Sequence, residues 1–537
     1  MGKRRKTAIL VALPAAVALL ATGCGGGGGG AGGGDSNGAV SIYGTEPQHP
    51  LTPGNTNEQG GIRVVDELYA GLVGFDPTTA KPYNLMAESI TPSSDAKVYD
   101  IKIKHGWKFH DGTEVKAHNF VDAWNYAALA TNAQINADFF AQIQGYDEVH
   151  PEDPKAKPTA QTMSGLKVLG DYEFQATLRA PFSVFPVKVG YEGFDPLPDV
   201  FFKDPKGFES HPIGNGPMKF VSYVPNQDIQ LTRFDGYQGQ DAVHFKDVDI
   251  KTYSDLNAAY SDLKGGQLDF LDLMPPAALV GDTYKADLPG RTLNSSLIDI
   301  DAIAVPYYVP GYNNPDLRKA ISMAIDRDGI IKQVLNNAYD AANSYFSPSL
   351  DGNVPNSCEY CKYDPDAAKS AFARSGFTGK LTIASNSDGG HKEALTAVCN
   401  SITKVLGVAC DFVPQTSLGQ FRSMITSHQA TGMVRSDWSA DYPSVEDFLN
   451  PIYKTGASSN DATYSNPQVD ALLAQADSTA DAAGAIKLYQ QAEALIAKDL
   501  PNIPLWSEKG TAGYSSKLSA AKLSWKRQPD LPSFRLA

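Results

Sequence analysis

The apolar pattern changes character near the middle of the chain, and that change limits the architectures open to it. In the first half, apolar residues alternate with polar ones in short runs. Ile101 and Ile103 point one way between Asp100, Lys102 and Lys104, and Tyr172, Phe174, Ala176 and Leu178 repeat the period of two expected of half-buried strands. Beyond Gly214-Asn215-Gly216-Pro217 a hairpin is expected, with Phe220 to Val224 on one limb and Ile229 to Arg233 on the other. Helices are sparser here: Gly61 to Leu72, about Asn119 to Thr131, and Leu256 to Lys264. After Leu297 to Pro306, helices alternate with strands. Asn314-Pro315 and Asn466-Pro467 each set a capping side chain and a first-turn proline ahead of an apolar stripe. A long helix spans Ala483 to Leu500, and Leu381 to Ala384 and Ala409 to Val413 are strand candidates. The pattern predicts a mixed α/β chain, α+β in its first half and α/β in its second.

A chain of 537 residues is too long for one ordinary core, so two or three folding units are expected. Its net charge is −14 with no basic stripe, which argues against a nucleic-acid partner. The N-terminus is the most specific local signal. Lys3-Arg4-Arg5-Lys6 precedes an apolar run of 13 residues, Ala8 to Leu20, too short to span a bilayer. This is an export signal. It ends Leu20-Ala21-Thr22-Gly23-Cys24, which resembles a bacterial lipobox with Cys24 as the lipidated residue. Ala21 departs from the usual leucine, so plain secretion also fits. Gly25 to Gly34, all glycine except Ala31, is a flexible tether between a lipid in the cell membrane and a folded body. Outside the cytoplasm Cys358, Cys361, Cys399 and Cys410 are expected to form two disulfides. Cys358 with Cys361 and Cys399 with Cys410 are the simplest pairs; the other connectivities and a four-thiolate zinc site are the alternatives.

Enzyme constellations are missing. There is no G-x-S-x-G elbow, no H-E-x-x-H, no Walker A motif and no EF-hand loop, and the 9 histidines show no i, i+4 pair. No metal or cofactor is expected, and His110 and His118 are read as structural. One stretch stands out instead. Arg435-Ser436-Asp437-Trp438-Ser439-Ala440-Asp441-Tyr442-Pro443 offers both signs of charge beside aromatic surface, as a zwitterionic ligand would need. With 25 Tyr and 23 Phe in the chain, capture of a small ligand between domains fits better than catalysis.

Five stretches together resemble the solute-binding proteins of peptide ABC importers, the oligopeptide- and dipeptide-binding family. They are Trp107-Lys108-Phe109-His110-Asp111-Gly112-Thr113, Gly214-Asn215-Gly216-Pro217, Leu317 to Arg327, Trp438 to Pro443, and Pro501-Asn502-Ile503-Pro504-Leu505, in family order. The resemblance implies a two-lobed periplasmic-binding-protein-like fold with an extra subdomain in the first lobe and the ligand in the interlobe cleft. On that layout residues 1–24 are the signal peptide and 25–38 the linker. Residues 39–69, 207–297 and 509–537 build the first lobe, 70–206 its extra subdomain, and 298–508 the second lobe. The resemblance further implies a monomer that binds short peptides and passes them to a permease with ATPase subunits on other chains. Relatives that bind nickel chelates, sugars or signalling molecules, and an exported peptidase, are the competing readings. Carried over by position, Asp441 pairs with the ligand's α-ammonium and Arg435 meets a carboxylate. Trp438 packs beside the peptide backbone, Tyr442 is a further ligand-binding candidate, and Asn57 and Glu58 line the opposite wall. Asp437 stands where the family often has glycine; backbone bonding to the peptide survives that change, while the added carboxylate would favour basic peptides or crowd the site.

Overall fold

The computed structural model describes residues 37–153, 155–387 and 391–537. The expected export signal, Cys24 and the glycine run lie outside these residues. The chain opens with strand β1 (Ala39–Gly44) and helix α1 (Gln59–Leu68). Strands β2 (Ala87–Pro92), β3 (Val98–Ile103), β4 (Leu166–Gly170) and β5 (Glu173–Thr177) then form a separate antiparallel sheet in the order β2-β3-β5-β4. Helix α2 (Ala117–Ala128) covers it, its Phe120 stacked on Phe174 and its Trp124 set edge-on to the same ring. Alternation in the sequence is enough to place Tyr99, Ile101 and Ile103 inward, all fully buried.

Two sequence motifs owe their form to a single junction. Helix α1 stops at Leu68 rather than continuing to Leu72, because Asn215 captures the next backbone: its amide accepts from Ala70 N–H at 3.1 Å and donates to Ala70 C=O at 2.8 Å. Gly214 is required by close approach, since a Cβ there would stand 1.8 Å from the Leu68 carbonyl oxygen. His110, from the Trp107–Thr113 turn, closes the junction. Its Nδ1 accepts from Gly214 N–H and its Nε2 donates to Gly216 C=O, both at 3.1 Å. Burial holds its pKa down to about 4, so the ring is neutral and structural.

Two small two-stranded sheets aside, the remaining strands belong to one 12-stranded sheet. Its first-half members are β1, the hairpin β6 (Met218–Val224) and β7 (Asp228–Arg233), β8 (Asp247–Thr252), β9 (Phe270–Leu271) and β10 (Thr292–Ser296). Its second-half members are β11 (Asp299–Ala304), β12 (Tyr339–Ala341), β13 (Leu381–Asn386), β14 (Cys410–Gln415) and β15 (Met433–Ser439). Around the second half pack α3 (Pro315–Met323), α4 (Lys392–Leu406), α5 (Val445–Tyr453), α6 (Pro467–Asp477) and α7 (Ala482–Asp499). Asn314 and Asn466 cap α3 and α6 as the sequence predicts, each accepting from backbone N–H groups of the first turn. The sulfurs of Cys358 and Cys361 stand 2.01 Å apart and those of Cys399 and Cys410 2.08 Å apart.

Strand β16 (Asn502–Tyr514) joins the halves. From Asn502 to Glu508 it pairs with β11 and β12, and from Lys509 to Tyr514 with β10 and β9. The other crossing, Leu297-Ile298 between β10 and β11, runs alongside it. The sequence turns strand-like only from about Lys509, whereas the strand starts seven residues earlier, at Asn502. The physical reason is burial on both faces: Asn502 to Ser507 are all buried, which erases the period of two that marks a strand.

Candidate functional site

Where the chain crosses between the halves of the sheet lies a cavity of about 480 Å³. Its floor is built by β11, β15 and β16. The antiparallel register of β11 and β15 sets Asp299 opposite Ser439 and Asp301 opposite Asp437, so alternate residues of both strands face the cavity. The facing wall comes from Asn57 and Gln59 at the start of α1, from Tyr191 and Glu192, and from Trp525 to Gln528.

Among the described residues six carboxyl groups line this cavity: Glu192, Asp299, Asp301, Asp437, Asp441 and Glu508. Its three strong cations are each committed to one of them. Arg435 pairs with Asp437 and Arg527 with Glu508, while Lys526 Nζ lies 2.9 Å from Glu192. Among the described residues that leaves Asp299, Asp301 and Asp441 without a cation. Asp299 accepts from Glu508 N–H at 2.9 Å and Asp301 from the Trp506 indole at 2.8 Å. Burial, reinforced by the Asp301 charge, pushes Asp299 up to about 8. Burial and Glu508 push Asp301 up to about 6. Asp441 is raised to about 7, by burial first and then by the Glu192 charge, against the pull of Lys188 and Lys526. A site in which three acids resist ionisation is one that an incoming cation would complete.

The residues singled out in the sequence fall into two groups. Asn57, Arg435, Asp437 and Asp441 line the cavity together. The Arg435 guanidinium is held within the chain, by Asp437, by Ser385 Oγ at 3.0 Å and by Asn386 Oδ1 at 3.0 Å. Trp438, Tyr442 and Glu58 do not line the cavity and brace it instead. Trp438 sits on the other face of β15, and its indole donates to Asp447 Oδ2 at 3.1 Å. That same oxygen accepts from Asp441 N–H at 3.0 Å, which fixes the turn carrying Asp441. The Tyr442 hydroxyl is buried and donates to Glu446 at 2.7 Å. Glu58 caps α1 through Gly61 N–H and accepts from Gln48 N–H. Sequence reasoning passed over Glu192, Asp299, Asp301, Glu508, Lys526 and Arg527. Asp299 and Asp301 left one trace, two carboxylates at i and i+2 on an otherwise apolar strand.

A mixed α/β fold with a sheet-crossing cavity, lined by polar groups awaiting a counter-charge, defines a ligand-binding protein. The chain belongs to the bacterial extracellular solute-binding proteins, family 5: the family described as "Bacterial extracellular solute-binding proteins, family 5 Middle" matches residues 81–460. It is 27% identical over 518 residues to the periplasmic oligopeptide-binding protein OppA of Salmonella typhimurium, covering 92% of this chain and 91% of that one. It is 26% identical over 488 residues to the glutathione-binding protein GsiB of Pectobacterium atrosepticum, covering 87% of this chain and 88% of that one. The fold matches the substrate-binding protein CtaP of Listeria monocytogenes with a TM-score of 0.78, at 21% identity over 94% of this chain and 99% of that one. It matches the Escherichia coli murein tripeptide binding protein MppA with a TM-score of 0.74, at 21% identity over 93% of this chain and 98% of that one. The fold is thus the two-lobed one of such binding proteins.

Proposed function

We propose that this protein captures peptides outside the cytoplasm and hands them to a membrane ABC permease powered by ATPase subunits on other chains. The observation that carries the reading is Asp441. It faces the cavity on a turn fixed by Asp447, and among the described residues its carboxylate has no cation paired to it. A peptide α-ammonium supplies the missing charge, and a neutral ligand would leave the carboxyl buried and unsatisfied. The oligopeptide- and glutathione-binding relatives support a ligand of this class.

In this reading residues 39–297 and 509–537 form one lobe, 298–508 the other, and the crossings at Leu297-Ile298 and Glu508-Lys509 act as the hinge. The protein works as a monomer, tethered through lipid on Cys24, with Cys358–Cys361 and Cys399–Cys410 as disulfides formed after export. Native mass spectrometry of protein purified from its own host tests the reading. Added masses matching short peptides are expected; masses of nickel chelates or sugars would replace peptide with another solute, and cleavage of added peptides would point to a peptidase.

A further inference from the structure

Behind the cavity lies a second chamber of about 200 Å³, between the end of α1, the 190–195 loop and the 524–532 segment. It shares Glu192, Trp525, Lys526 and Gln528 with the first cavity, so the two are neighbours across Lys526. Among the described residues six carboxyl groups line it, Asp66, Glu67, Glu192, Asp195, Asp241 and Asp530, against Lys526 as the one cation. Aromatic rings of Tyr69, Phe75, Tyr83, Tyr237 and Trp525 make up much of the remaining wall.

Most of these acids have partners. Lys526 Nζ reaches Glu192 at 2.9 Å and Asp66 at 3.7 Å. Asp241 accepts from the Tyr237 hydroxyl at 2.7 Å and the Tyr83 hydroxyl at 3.4 Å. Asp195 differs. It is only 6% exposed, yet among the described residues its carboxylate receives no hydrogen bond and pairs with no cation. Its seat depends on a bare backbone, since a Cβ on Gly71 would stand 2.2 Å from Asp195 Oδ1. Glu67 Oε2 is likewise buried with no partner. Burial and then the neighbouring acids push both carboxyls well above their usual range. Leaving buried carboxylate oxygens unpaired is costly, so a chamber holding the buried Asp195 and the half-buried Glu67 unpaired beside Lys526 lacks a positive charge.

Aromatic faces and carboxylates together are the surroundings that hold organic cations. Among the described residues no three His, Cys, Asp or Glu side chains are placed to hold a metal ion. We propose that this chamber receives an alkylammonium or guanidinium group beside Asp195 and Glu67, and that the protein thereby prefers peptides carrying a basic side chain. The preference rests on the peptide reading above; the recognition of the cationic group does not.

The test is calorimetry on the full exported chain with Ala-Ala-Ala, with its three single-lysine variants, with their Nε-acetyl-lysine forms, and with n-butylammonium alone. At least one lysine peptide is expected to bind about tenfold more tightly than its acetylated form. That ratio is expected to collapse toward one in both Asp195→Asn and Glu67→Gln, two isosteric changes that relieve buried charge. Saturable binding of butylammonium that Asp195→Asn removes would also support the chamber, with a free amine as the source of the group. Equal binding of lysine and acetyl-lysine peptides, or a ratio both variants leave untouched, overturns the proposal when butylammonium binding is also absent or insensitive to Asp195. Should Ala-Ala-Ala and every other peptide fail to bind, the peptide reading falls, and the butylammonium arm alone decides the chamber.

Discussion

Asp301 and Asp437 stand directly opposite each other in the β11–β15 pairing, two carboxylates facing one cavity. Like charges in that register repel, and the chain relieves them differently: Asp437 by Arg435 on its own strand, Asp301 by the Trp506 indole. Asp437→Asn removes the charge that holds Arg435 back. The guanidinium then becomes available to a ligand carboxylate. Peptides with an acidic side chain are expected to gain about tenfold over neutral ones in this variant, measured by calorimetry. An unchanged ratio would show that the other partners of Arg435, Ser385 and Asn386 among them, suffice to hold it.

The three acids without cations make stability depend on pH. Asp441 at about 7, Asp301 at about 6 and Asp299 at about 8 all bind protons more tightly in the folded chain than in the unfolded one. Between the ordinary carboxyl value, about pH 4, and these raised values, the folded state holds the extra protons, so stability falls as pH rises. The melting temperature of ligand-free protein is expected to be higher near pH ~5.5 than near pH ~7.5, with a shallower slope in Asp441→Asn. A slope of the opposite sign would contradict the electrostatics drawn here.

Peptide binding should carry the matching proton signature. A ligand ammonium favours ionised Asp441, so binding lowers its pKa and releases a proton below about pH 7. Calorimetry at pH ~6.5 in buffers of different ionisation enthalpy is expected to show net proton release, smaller in Asp441→Asn. Net uptake would mean that the ligand meets the carboxyl in its protonated form.

Asn215 is expected to matter for the fold rather than for the ligand. Asn215→Ala strands the buried N–H and C=O of Ala70 and should cost about 2–4 kcal/mol, read as a lowered melting temperature. Ligand affinity should stay close to that of the parent protein, because Asn215 does not line the cavity.

Much of this was legible in the sequence, for reasons that are local. The asparagine caps at Asn314 and Asn466, the alternation across Val98–Ile103 and the Asp111-Gly112 turn act within a few residues, so pattern and propensity reveal them. Asp441, which lines the cavity, stands out in the sequence because its neighbours form a recognisable stretch. The rest of the cavity is tertiary. Lys526 meets Glu192 across 334 positions, and Trp506 meets Asp301 across 205, separations no local pattern records. The placement of Trp438 is tertiary too: alternation on β15 turns it away from the face that carries Asp437, and only the register with β11 shows which face meets the cavity.

The proposed lipid anchor on Cys24 carries a separate prediction. With Cys24→Ala the exported protein is expected to move from the membrane fraction to the soluble extracytoplasmic fraction, followed by fractionation and immunoblot. A protein that stays with the membrane would owe its location to something other than lipid on that residue.

Comparing Ala-Ala-Ala with its N-acetyl form, on the parent protein and on Asp441→Asn, is the most direct test of the central claim. If Asp441 receives the α-ammonium, acetylation should weaken binding to the parent by about a hundredfold, and the two peptides should bind Asp441→Asn alike. Equal affinity of the two peptides for the parent protein would contradict it.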